Sequence, residues 1–85
     1  MEEKEIGRIT HYFSNLGVAV VELTNDTLSV GDKVHIKGHT TDLTETVDSL
    51  QIEHESVQSI KVGDAAGIRV TDHVREHDIV YKVQE

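Results

Sequence analysis

The stretch 28-LSVGDKVHI-36 sets a Gly-Asp turn directly before an alternating apolar run, and 60-IKVGDAAGI-68 repeats it thirty-two residues later. A third copy, 74-VREHDIVYKV-83, keeps the Asp and the alternation but carries His77 where the first two carry Gly. Glycine supplies a positive φ at no steric cost, and a turn Asp accepts backbone N–H groups. Each copy therefore reads as a turn that launches a strand, with the Asp expected to accept an N–H two residues further on. Gly31, Asp32, Gly63 and Asp64 are structural turn residues on this reading, and the last turn, with His77, is expected to take a different shape.

Working outward, the apolar residues fall mostly at period two, and valine, isoleucine and threonine dominate. That is the pattern of half-buried sheet. Glu5 to Phe13 reads as a strand, Ser14 to Gly17 as a turn and Val18 to Leu23 as a second strand, together a hairpin. After the polar turn Thr24 to Thr27, Val34 and Ile36 point inward while Lys33, His35 and Lys37 point outward. Residues 43–60 fit either a helical stripe through Leu43, Val47, Leu50 and Val57 or a strand. The β-branched Thr44, Thr46 and Val47 favour a long bent strand from Glu45 to Glu53 with a bulge near Asp48 or Ser49. Val57 to Ile60 is a short connector, and 65-AAGIRV-70 and 79-IVYKV-83 complete about six strands. Gly67, inside a strand pattern, marks a close backbone contact or a barrel corner. Six short strands without a long helix suggest an all-β fold, a small closed antiparallel barrel in one domain over residues 1–85.

Composition narrows the function. Sixteen Asp and Glu against eight Lys and Arg give a formal net charge of −8, which repels polyanions unless a local basic patch exists. No cysteine is present, which removes disulfides, thiolate metal sites and a cysteine nucleophile. The acidic start MEEKEIG and the lack of a long apolar run lead to the expectation of a cytoplasmic protein without membrane contact. Tyr12, Phe13 and Tyr81 are too few aromatics for a base-stacking platform.

The ordered set 6-IGRITHYF-13, 28-LSVGDKVHI-36, 47-VDSLQI-52, 60-IKVGDAAGIRV-70 and 74-VREHDIV-80 resembles the domain 2 β-barrel of translational GTPases of the elongation factor Tu type. It is also similar to the free-standing translation elongation factor-like proteins and to the C-terminal barrel of the U32 peptidases. The resemblance spans nearly the whole chain and implies a six-stranded Greek-key barrel. His77 and Glu76 depart from it, since these families usually carry Gly and often a basic residue there. The chain has no G-x-x-x-x-G-K-[ST] phosphate loop, so GTP is not an expected ligand.

Among candidate sites, the outward row Lys33, His35 and Lys37, extended by Arg8, Lys61 or Arg69, is the best basic patch for RNA phosphate. The plain alternative is a solvated strand face whose lysines discourage edge pairing. The loop 38-GHTTDL-43 adds His39 and Thr40 at a barrel rim, where binding residues usually sit. Asp42 and the threonines there equally suit local Asx and ST turns. Six histidines include two H-x-x-x-H pairs, His35 with His39 and His73 with His77. On a helix each pair would share a metal, but neither stretch reads as helix, so no metal and no cofactor is expected. No serine lies in a nucleophile elbow and the carboxylates are scattered, so no catalytic residue is assigned. The expectation is a non-enzymatic binding module. One reading has it contacting RNA or a ribosome-associated translation component. The other has it as a protein-interaction barrel serving a separate enzyme, such as a U32-like peptidase or an RNA-modifying system.

Overall fold

In the computed structural model, which describes residues 2–84, the chain is all strand and turn. Met1 and Glu85, the ends of the expected 1–85 domain, lie outside the described residues. Ten strands follow in order: β1 (Glu2–Phe13), β2 (Val18–Leu23), β3 (Leu28–Ser29), β4 (Lys33–Lys37), β5 (Asp42–Thr46), β6 (Leu50–Ile52), β7 (Glu55–Val57), β8 (Ser59–Ile60), β9 (Ala65–Arg69) and β10 (Ile79–Gln84). Eight form one antiparallel sheet in the order β5-β4-β10-β1-β2-β9-β6-β7, and β3 pairs with β8 in a second, two-stranded sheet. The all-β expectation and the β1–β2 hairpin therefore hold, while the count of six strands becomes ten. Among the described residues no ladder joins β5 to β7, so the eight strands do not close by backbone pairing.

The expected continuous strand from Glu45 to Glu53 is broken. β5 ends at Thr46 against β4, and β6 begins at Leu50 beside β9. Residues 47–49 carry the chain between them because Val47 is drawn into the core, 3% exposed, and exchanges hydrogen bonds with the first turn through Gly31 N and Asp32 O. The bulges sit instead in β1. Ile6 is extra relative to β10, and Thr10 is extra relative to β2. Two bulges bend a twelve-residue strand enough to serve both neighbours. At the first bulge Gly7 lies so close to β2 that a Cβ there would meet the Glu22 carbonyl oxygen at 2.2 Å.

The three repeats are one device used three times. In each, the Asp N–H donates to the carbonyl three residues back: Asp32 to Ser29 (3.0 Å), Asp64 to Lys61 (2.9 Å) and Asp78 to Arg75 (3.2 Å). The Asp carboxylate in turn accepts the N–H of that same residue, at 2.8, 3.1 and 2.8 Å. The acceptor thus works three residues back rather than two residues on. The third position is left-handed throughout, with φ of 98° at Gly31, 94° at Gly63 and 75° at His77. That is the requirement of the third residue of a type II turn. His77 therefore keeps the shape of the other two turns, against the expectation of a different one.

An apolar residue precedes each turn and another follows two residues after its Asp: Leu28 and Val34, Ile60 and Ala66, Val74 and Val80. All six are buried. β3 and β8 are the segments that lead into the first two turns, and they pair as Leu28 with Ile60 and Ser29 with Ser59. The fifteen-residue core they join is aliphatic throughout, with Tyr12 packed on its margin.

Candidate functional site

β4 alternates as its sequence requires, with Val34 and Ile36 buried and Lys37 exposed. Its outward His35 is not a free cation on a basic face. One ring nitrogen, Nδ1, donates to the Glu3 carboxylate at 2.9 and 3.0 Å, and Nε2 donates to Asp42 Oδ1. The imidazole is 14% exposed and tilts against Tyr81. The contact with Glu3, then that with Asp42, raises its pKa above the usual histidine range, against a smaller opposing effect of burial. With both nitrogens donating, the ring has no lone pair to offer as base or metal ligand. Glu3–His35–Asp42 is a clasp from the start of β1 over β10 to β4 and β5, and among the described residues no serine is bonded to it.

The rim loop leaves His39 and Thr40 exposed, while Thr41 is buried and its carbonyl accepts the Gly38 N–H at 2.8 Å. Thr40, Thr41, Asp42 and Leu43 face Asp72, His73 and Arg75 across a polar groove of about 450 Å³. The rim loop and the histidine-rich turn are therefore neighbours, a proximity that spacing along the chain could not reveal. Within that turn the two histidines differ in use. His73 sets its ring edge-on to Tyr12 at 4.7 Å, whereas His77 contributes a backbone N–H to Ile9 O. Among the described residues no group of three or more His, Cys, Asp or Glu side chains is arranged to hold a metal.

A second recess was not foreseen from the sequence. Phe13 and Leu16, 45% and 63% exposed, stand at the β1–β2 turn and with Val18 form one wall. Gln51, Glu53 and His54 form the opposite wall, and Gly67 is part of the lining, for a groove of about 420 Å³. It runs on past Gly67 to Ser49, Ile68 and Arg69. Gly67 pairs with both Val20 and Gln51, and a Cβ there would come within 3.2 Å of Val18 Cγ1. The close backbone contact expected at Gly67 is thus a meeting of β6 with β9.

No family model matches the sequence. Over 82 residues the chain is 40% identical to an uncharacterized protease of Methanocaldococcus jannaschii, covering 95% of this chain and 20% of that protein. Over 78 residues it is 33% identical to a collagenase of Porphyromonas gingivalis, covering 91% of this chain and 22% of that protein. The chain thus spans about a fifth of the length of these curated relatives. Among solved structures, the C-terminal domain of a Geobacillus thermoleovorans protein assigned to the U32 peptidases superposes with a TM-score of 0.87 at 15% identity, covering 95% of this chain and 93% of that one. Its selenomethionine variant gives 0.84, covering 91% and 96%. The fold is that of the U32 C-terminal domain.

Proposed function

We propose that this chain is a non-catalytic interaction module of a U32-type peptidase, working beside a catalytic body. The observation that carries this reading is the near-complete superposition on a domain that forms only the C-terminal part of such a protein. The matches to about a fifth of a protease and a collagenase point the same way. Its chemistry agrees. The acid–base cluster Glu3–His35–Asp42 has both imidazole nitrogens occupied, and among the described residues no nucleophile is bonded to it.

The RNA reading is the weaker one. It needs Lys33, His35 and Lys37 to act as one cationic row, and the middle charge is offset by two carboxylates on a molecule of net charge −8. Kinship with translation factors and a closed Greek-key barrel rest on the ordered series of turns alone. Co-purification with the tagged chain from its own cells, with protein and RNA identified together, tests the proposal. The expected result is enrichment of a U32-type catalytic body, with no peptide hydrolysis by the purified chain alone. Recovery of ribosomal or transfer RNA without a peptidase, or hydrolysis by the chain alone, would overturn it.

A further inference from the structure

The groove over Gly67 combines three features that arise independently. Its apolar wall is presented, not merely exposed, because Leu16 N and Gly17 N both bond Phe13 O, at 3.0 and 2.9 Å, and Gly17 O holds Val70 N. Leu16 is therefore fixed outward by a closed turn, so little ordering is needed on binding. The opposite wall is strained. Ile52 pairs with Glu55, leaving Glu53 and His54 as a two-residue hairpin turn with φ of 50° and 68°. Such turns normally take Asn-Gly, and each side chain held left-handed costs about 1–2 kcal/mol. Strain of this kind persists where a surface is shaped for a task. Finally, the groove has opposite charges at its two ends, Arg69 and Glu53, neither in an ion pair among the described residues.

We infer that this groove seats an extended segment of the partner peptidase's catalytic body, with one bulky apolar side chain over Gly67, an acidic residue toward Arg69 and a basic residue toward Glu53. The inference rests on the proposed function and names the surface that serves it. Charge complementarity selects the occupant. A second copy of this chain would bring another net −8 against the first. Fixed charges at both ends also demand a fixed sequence, which a resident partner supplies and the varied substrates of a peptidase do not.

The test is photocrosslinking in the native cells with p-benzoylphenylalanine in place of Leu16, and in place of Val62 as an exposed control. Tagged wild-type chain, Arg69→Glu and Gly67→Val are captured in parallel, and thermal melts verify that each variant folds. The expected crosslink from position 16 maps to one segment of a U32-type body with the stated acid–apolar–base pattern. Capture falls at least tenfold in Arg69→Glu, and in Gly67→Val if it melts as wild type. Equal capture by wild type and Arg69→Glu, or crosslinks to a second copy or to many unrelated peptides, overturns the groove assignment while leaving the peptidase partnership standing. Failure of the wild-type chain to capture any peptidase overturns both.

Discussion

Replacing His77 by Gly should make the protein more stable. Three turns of the same hydrogen-bonded design occur in one small molecule, and only the third has a side chain at its left-handed position. That side chain is exposed and has no hydrogen bond or ion pair among the described residues, while the His77 N–H bonded to Ile9 O is a backbone group that glycine keeps. Holding an L residue left-handed costs roughly 1–2 kcal/mol, and glycine's greater freedom in the unfolded chain returns about 0.4–1 kcal/mol of that. The net expectation for His77→Gly is a gain of about 0.5–1 kcal/mol, or a rise in Tm of roughly 2–8 °C for a domain of this size.

The two other turns supply the control. A Cβ at Gly31 or Gly63 would meet nothing within 4 Å, so Gly31→Ala and Gly63→Ala isolate the conformational cost from any clash. By the same balance reversed, each should lose about 0.5–1 kcal/mol in urea unfolding, with an unchanged m-value. If both alanine variants are destabilised and His77→Gly gains nothing, the cost of φ does not set the stability of the third turn, and the equivalence of the three turns is refuted.

Three further outcomes follow from particular contacts. Gly7→Ala should cost about 3 kcal/mol or more, because its Cβ would meet backbone at 2.2 Å and a paired strand must move; circular dichroism melts would show it, and a loss under 1 kcal/mol would refute the close approach. His35 is held protonated by Glu3 and Asp42, so its folded pKa lies above 6.5 and its contribution is complete below the unfolded value and lost as pH rises through the folded one. The stability gap between wild type and His35→Gln should therefore narrow as pH rises through the folded pKa in urea melts, and a gap that widens would reverse the assigned charge. Asp78, 4% exposed, should cost more when replaced by Ala than Asp64, whose bond to Lys61 N is exposed: about 1–3 against about 0.5–1 kcal/mol by the same unfolding assay.

Much of the inward-facing design was legible because it is local. Alternation along β4 needs only a residue and its next neighbours, and the two positions it sends inward, Val34 and Ile36, are those found buried. The break at residues 47–49 was not legible, since period two continues through it if one residue is skipped. What ends the strand is Val47 bonding to Gly31 and Asp32, a contact between segments fifteen or more residues apart. The Glu53–His54 turn hid for a different reason: neither residue is a turn former, so the chain offers no Gly or Asn signal where a left-handed pair is nonetheless required.

Outward-facing residues posed the harder problem, and His35 shows why. From the sequence its environment is Lys33 and Lys37, two positions away on the same strand face, and the row looks basic. In the folded chain its nearest charges come from β1 and β5, and both are carboxylates. Arg69 makes the converse case. Considered as one more cation in that same row, it stands instead at one end of an apolar groove whose walls come from the β1–β2 turn and the β6–β7 hairpin. A side chain's charge is a local property but its meaning is set by the strands beside it. In this sheet β1 lies between β10 and β2, and β9 between β2 and β6, so most of those neighbours are distant in sequence. Alternation along a strand can therefore predict the core of such a sheet, whereas its binding surface depends on the order in which the strands are laid side by side.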